Sequence, residues 1–436
     1  MTVETLTIVE SAGASAPAAS SPVRYWNGVL LAVFREAGGA PGPLARTAAM
    51  MHGAIFDVVN NQTRVDGGLD FLPYQSYLGE LPTRPGTSVV DAVNVAARDV
   101  LLALHPSSEA TIAGAYAASY PAGTAPATSE LGRAAAQAML RLRATDGADA
   151  TTPYVPELVP GAWRPTSPGT TAATPHWGRV TPFWGGSGAA FRPPLPGGLA
   201  GYPELLASQL YVDQVTEVRV LGRFDSTVRT PDQTEIGWFW ANDLDGTYKP
   251  VGQLLQLTDD ITPPDPDLLA EARLFALMSF ALADATIVAW DSKYGTAVDL
   301  WRPETAIRLA GTDGNLGTVA DPGWRPLSAT REGVHFSPNF PAYVSGHATM
   351  AGAWAGILRR YFGTDTWSFT ATSEDPHVVP GTTRTFASFS QAAIENARSR
   401  VYLGVHFQFD ADLGLAAGAA VAQHVFRARC YELPTP

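Results

Sequence analysis

The chain has 436 residues, 46% apolar and 16% charged, which fits a compact protein with a sizeable core and excludes a disordered one. Forty-one acidic residues against 29 basic give a net charge of −12, which argues against a nucleic-acid or anionic-membrane surface and makes any anion pocket a local arrangement. A single cysteine, Cys430, excludes an internal disulfide framework.

In chain order, residues 1–24 read as a disordered Ala/Ser/Pro tail. Glu4 and Glu10 precede any base and no apolar run follows, so no signal peptide is expected. The expected location is therefore cytoplasmic, with secretion by another route left open. Helical patterns cover about 25–61, 89–104, 109–120 and 129–146, an N-terminal bundle at about 25–150. Residues 150–203 are dense in Pro, Gly, Thr and Trp, which disfavours regular helix and suggests an ordered surface loop. Helical patterns return at 202–222, 230–242, 267–291, 346–362, 388–402 and about 407–431, a C-terminal bundle at about 204–430. The apolar run 274–290 is slightly short and holds Asp284, so it reads as a buried core helix rather than a membrane span. Strand-like alternation is nearly absent, and the expected class is all-α with long loops.

Three segments carry chemistry. The first, "WDSKYGTAVDLWRPETAIR", holds Trp290, Lys293 and Arg302. The second, "FPAYVSGHATMAGAW", places Phe340 before Ser345, Gly346 and His347. Pro341 opens it and an Ala/Met run follows His347, so Ser345 and Gly346 fall at a helix N-terminus, where free N–H groups and the helix dipole favour an anion. The third, "ARSRVYLGVHFQFDADLG", sets His406 and Asp410 four residues apart on one helical face, where the carboxylate can fix the imidazole tautomer. Arg400 lies six residues before His406, and arginine grips tetrahedral oxyanions bidentately.

Together, Lys293 with Arg302-Pro303, Ser345-Gly346-His347 and Ser399-Arg400-x5-His406-x3-Asp410 resemble the vanadium-dependent haloperoxidase and type 2 phosphatidic acid phosphatase superfamily. "RYWNGV", "GAWRPTSP" and "RTPDQTEIGWFW" extend the likeness to roughly residues 25–425 and to its soluble bacterial branch. The resemblance implies two four-helix bundles in one compact domain, with the named ligands all in the C-terminal one. It implies that Arg302, Arg400, Ser345 and Gly346 hold vanadate, that His406 bonds the metal, and that His347 is the general acid–base. Asp410 would orient His406 and Lys293 would polarise bound peroxide. Trp290, Phe340 and His335 would form pocket wall, although Phe340 also reads as core. The implied partners are hydrogen peroxide, halide and a small organic acceptor, with homo-oligomerisation open and neither nucleic acid nor membrane expected. The same residues could serve an acid phosphatase with His406 as nucleophile, or a non-catalytic oxyanion-binding relative. The sequence departs from the family at one point. Lys293 precedes Arg302 by nine residues instead of seven, which on one helix is the opposite face, so a bulge at Gly295 and Thr296 is expected.

Overall fold

The computed structural model describes residues 21–431 except 69–71, 168 and 265–266. The first helix, α1 (Pro22–Ala37), starts at Pro22, with Ser21 as its N-cap accepting the Arg24 N–H. The expected tail is thus corrected at 21–24, and its residues 1–20 lie outside the described residues. The helical pattern expected over about 25–61 is made by two helices, α1 and α2 (Pro41–Asp66). The chain turns at Gly38 and Gly39, whose φ of 58° and 91° suit glycine. The Asp245 carboxylate packs so closely on Gly38 that any Cβ there would meet it at 2.5 Å.

Helices α3 (Val89–Leu104), α4 (Glu109–Ala118) and α5 (Glu130–Arg143) follow the expected ranges, with serine N-caps on α3 and α5. The loop that follows is ordered by its tryptophans. Trp177 is buried with its Nε1–H on the Thr286 hydroxyl, and the Trp163 N–H donates to the Asp299 carbonyl. Ser208 divides the next helical pattern into α6 (Tyr202–Ala207) and α7 (Gln209–Leu221). After α8 (Pro231–Phe239) comes a helix that periodicity did not single out, α9 (Lys249–Ile261). Helix α10 (Leu268–Tyr294) is apolar and long enough to cross a membrane by length and composition, but 94% of that window is buried inside the fold. Asp284 is tolerated there because its carboxylate accepts the Phe183 and Trp184 N–H groups.

The last elements are α11 (Pro303–Arg308), α12 (Gly346–Phe362), β1 (Thr366–Ala371), β2 (Arg384–Ser388), α13 (Phe389–Tyr402) and α14 (Gln408–Ala428). The antiparallel pair β1–β2, with Phe369 opposite Phe386, is the one departure from an all-helical class among the described residues.

Helix α10 is shared by two helix sets. It packs along α2, against which α3 and α5 lie, and its other side meets α12 and α14, with α13 beside them. One hydrophobic core runs through both sets, including Trp26, Phe275, Phe280 and Trp354. Helices α12 and α14 approach through glycines. A Cβ at Gly352 would lie 2.3 Å from the Leu415 carbonyl, and one at Gly418 would lie 1.9 Å from that of Thr349. This contact sets the helix beginning at Gly346 against the helix that carries Asp410. Gly418→Ala should therefore force the backbones apart and cost about 3 kcal/mol. An unchanged denaturant midpoint in that variant would show that the interface yields freely.

Candidate anion-binding active site

His406 sits in the turn between α13 and α14, made possible by Gly404 at φ 80° against Gly222. The ring is 2% exposed. Its Nδ1 lies 3.1 Å from Asp410 Oδ2 and its Nε2 lies 3.0 Å from Arg302 Nη1. A guanidinium can only donate, so Nε2 accepts, and Nδ1 carries the proton that goes to the carboxylate. Burial first, then the charges of Arg302, Lys293, Arg400 and His347, hold its pKa well below the usual imidazole range. His406 is thus a neutral imidazole whose Nε2 lone pair faces the cations.

Asp410 is at the third position of α14 and also accepts the Phe407 N–H at 3.0 Å, while its own carbonyl accepts the Ser345 N–H at 3.0 Å. One residue thereby ties two of the motifs together. Burial pushes its carboxyl up to about 7, and its Oδ1 has no partner.

Arg302 is the N-cap of α11 and fully buried. Its Nε donates to the Phe340 carbonyl at 2.7 Å and its Nη1 to that of Val405 at 2.8 Å, while Nη2 is buried without a partner. Arg400, in the last turn of α13, donates from Nη2 to Asp243 Oδ2 at 2.7 Å, and its Nε and Nη1 are likewise buried and unpartnered. Buried charged donors without acceptors are costly, so both arginines are built for an acceptor supplied from outside the chain.

Ser345 caps α12, its hydroxyl accepting the Ala348 N–H at 3.4 Å, and Gly346 is the first helical residue. A Cβ on Gly346 would reach the Trp290 ring at 3.4 Å. His347 is 8% exposed, and its Nε2 lies 3.1 Å from the Ala241 carbonyl and 3.8 Å from Asp243 Oδ1. Burial and then the Arg400 charge hold its pKa down to about 4, despite Asp243.

A cavity of about 230 Å³ opens onto Gly346, His347, Arg400 and His406. Trp290, Phe336, Phe340 and Met350 give it apolar walls, and Ala173 enters from the Pro/Trp-rich loop. Gly39, Ala40 and Pro41 enter from the α1–α2 turn, so the N-terminal helices contribute wall as well. The rings of Trp290 and Phe340 are 4.9 Å apart, and the Arg302 guanidinium lies 4.6 Å from the Phe340 ring.

Two expectations are corrected. Helix α10 ends at Gly295 and Arg302 lies beyond it in extended backbone, so the two residues do not share a helix, the face argument does not apply and no bulge is needed. The Lys293 ammonium is buried and donates to the carbonyls of Pro341, Ala342 and Val344 at 2.7, 3.2 and 2.5 Å. It props the loop that leads into Ser345 and, like Arg302 and Ser345, is not itself among the residues lining the cavity, although its charge acts on His406. His335 does not join the wall either. It packs on Phe224 with ring centroids 4.8 Å apart, and the residue that reaches the cavity is its neighbour Phe336.

Sequence reasoning missed Asp243, which lies between Arg400 and His347, and Lys249, which also lines the cavity and pairs with Asp245 at 2.6 Å. Burial pushes Asp243 up, but Arg400, then His347, outweigh it and hold the carboxyl below its usual range. The run "ANDLDGTYK" gives no periodic or motif signal for this role.

The three unpartnered guanidinium nitrogens, one imidazole lone pair and a helix N-terminus fit a tetrahedral oxyanion such as vanadate or phosphate. Among the described residues, no group of three or more His, Cys, Asp or Glu could enclose a bare metal ion. Residues 273–431 match the family model for the second helical-bundle domain of VCPO. The vanadium chloroperoxidase of Curvularia inaequalis is 33% identical over an alignment of 237 positions that covers 43% of this chain. That match spans only 37% of the length of the curated relative. A bacterial vanadium-dependent iodoperoxidase structure superposes with a TM-score of 0.74 at 24% identity, covering 95% of this chain and 97% of that one. A holo-type bacterial vanadium-dependent chloroperoxidase gives 0.67 at 17%, covering 95% and 94%. The two superpositions establish a common helical fold.

Proposed function

We propose, from the match of residues 273–431 to that family model, that the chain is a vanadate-dependent haloperoxidase that oxidises halide with hydrogen peroxide. The observation that carries this reading is the set of buried, unpartnered Arg302 and Arg400 nitrogens around the His406 Nε2 lone pair. Arg302 and Arg400 would hold the oxygens of vanadate, with the Gly346 N–H and the Ser345 hydroxyl beside them. His406 would give to vanadium the Nε2 lone pair that here accepts from Arg302 Nη1, and Asp410 keeps the proton on Nδ1. Bound vanadate would supply a Lewis-acidic centre that activates peroxide toward halide without itself changing oxidation state.

The remaining work belongs to the chain. His347 is neutral because burial and then Arg400 hold its pKa down to about 4, so it can take a proton from an incoming acid. Its Nε2–H is fixed on the Ala241 carbonyl, which leaves Nδ1 as the accepting atom. Trp290, Phe340 and Phe336 exclude bulk water from the cavity, which strengthens every charge interaction inside it. An organic acceptor larger than the cavity would meet the oxidised halogen outside.

One observation favours a second reading. The Lys293 ammonium is spent on three carbonyls, and an acid phosphatase with His406 as nucleophile would need only the two arginines, the helix N-terminus and the two histidines. The two readings separate in one assay. Protein loaded with orthovanadate should brominate or chlorinate a test acceptor with peroxide, and chelating or omitting vanadate should remove that activity. Phosphate-ester hydrolysis by the vanadate-free protein, with no halogenation after loading, would overturn the haloperoxidase reading in favour of the phosphatase.

A further inference from the structure

The β1–β2 connection, residues 372–383, contributes nothing to the cavity wall, yet it grips the segment that holds two of the site residues. We infer that Asp375 and His377 are positioning residues of the anion site, acting through Asn242. The inference rests on the oxyanion site proposed above, and not on which reaction that site performs.

Asn242 is the link. The carbonyl of Ala241 before it holds His347 Nε2 at 3.1 Å, and the carboxylate of Asp243 after it holds Arg400 Nη2 at 2.7 Å. Asn242 itself is fully buried with φ 43°, a left-handed conformation that asparagine tolerates better than most residues. Any relaxation of that residue toward ordinary φ would swing both contacts at once.

Residues of the hairpin connection hold it in place. Asp375, 4% exposed, accepts the Asn242 N–H on Oδ2 at 3.1 Å. The Asn242 side-chain oxygen accepts the Glu374 N–H at 3.1 Å. Asp375 Oδ1 in turn accepts from His377 twice, from the backbone N–H at 3.0 Å and from Nδ1 at 2.9 Å. His377 Nε2 lies 3.2 Å from the Thr330 carbonyl. Both ring nitrogens therefore face acceptors, and only an imidazolium can satisfy both. Its ring stacks on Trp238 at 3.9 Å and 15°, a cation–π arrangement with the residue four before Asn242. The charged groups facing His377 are Asp375 and, opposing it, Arg331, and the hydrogen bond to Asp375 is the largest influence raising its pKa. The chain of contact thus runs from the partly exposed His377 through buried Asp375 to Asn242, and from there to the acid–base histidine and one anion-gripping arginine.

The test is a double-mutant cycle on the whole chain with Asp375→Asn, His377→Ala and both together. The probe is orthovanadate, with binding measured by equilibrium dialysis and the bound ion observed by vanadium-51 NMR. Positioning partners of this kind change affinity by roughly 10- to 100-fold. Each single variant is expected to weaken binding about ten-fold and to shift the bound vanadium resonance. The double variant should be no weaker than Asp375→Asn alone, because both act along one path. The thermal midpoint without vanadate should move by no more than about 1 °C, the shift of a 1 kcal/mol change in a chain this long. Unchanged affinity and resonance in both single variants would overturn the inference, as would losses that multiply in the double variant or simply follow a fall in thermal midpoint. A wild-type protein that binds neither orthovanadate nor inorganic phosphate would instead remove the oxyanion site itself, and the inference with it.

Discussion

His406→Ala is expected to abolish turnover, by at least about 10³-fold on the scale seen when a nucleophile or its base is removed, while the protein remains folded. The lone pair at Nε2 has no substitute among the residues that line the cavity, since the only other imidazole there, that of His347, is held by Ala241 and flanked by Asp243. The size of the loss does not depend on the reaction. A vanadate enzyme would lose the one nitrogen available to the metal, and a phosphatase would lose its nucleophile. Retention of the fold is expected because the ring's partners keep others: Arg302 still donates to Phe340 and Val405, and Asp410 still accepts from Phe407. Turnover and thermal midpoint measured on the same preparation decide the matter. Wild-type turnover in the variant would show that the chemistry lies elsewhere.

Asp410→Asn should have the second largest effect, with opposite consequences for activity and for stability. The amide can still accept from Nδ1, but without its charge it no longer favours the proton there, and it can instead donate to Nδ1 and move the proton to Nε2, blocking the lone pair. A loss of about 100-fold in turnover is expected from that change of tautomer. The stability effect follows from the raised carboxyl. Asp410 titrates near 7 in the fold against 3.8 in the unfolded chain, with burial as the cause. Between those values the folded state holds a proton that the unfolded state has released, so this group's contribution to stability falls as pH rises from about 4 to 7. Asparagine removes that slope. Denaturation of both proteins across this range should show the wild type losing stability relative to the variant as pH rises. A variant that loses ground toward neutral pH would mean instead that Asp410 is ionised and held by Arg302 and Lys293 in the fold.

Much of this molecule is written in short stretches of sequence. Apolar periodicity with Ser, Thr and Asp caps located most helices, because capping and amphipathic burial are local or short-range demands: α3 and α12 begin and end where the pattern says. The local placement of two motifs was also legible, with Ser345, Gly346 and His347 at a helix N-terminus and Asp410 within reach of His406, although His406 stands in the turn before α14 and the meeting of the three segments rested on the resemblance. What sequence spacing could not give was the path of the chain between elements. The nine residues from Lys293 to Arg302 mislead if read along one helix, because α10 stops at Gly295, and the lysine then satisfies carbonyls of the loop before Ser345. His335 was close in sequence to the wall but faces Phe224, since adjacent residues in extended backbone point opposite ways and Phe336 takes the inward side.

Asp243, Asn242 and the hairpin residues Asp375 and His377 carry no motif, and they come together over more than 130 residues of chain only through packing. Caps and periodicity are written in a few neighbouring residues, so the sequence determines them. The charge balance around Arg400 and His347 is set by groups brought together across the whole fold, and only the tertiary structure decides it.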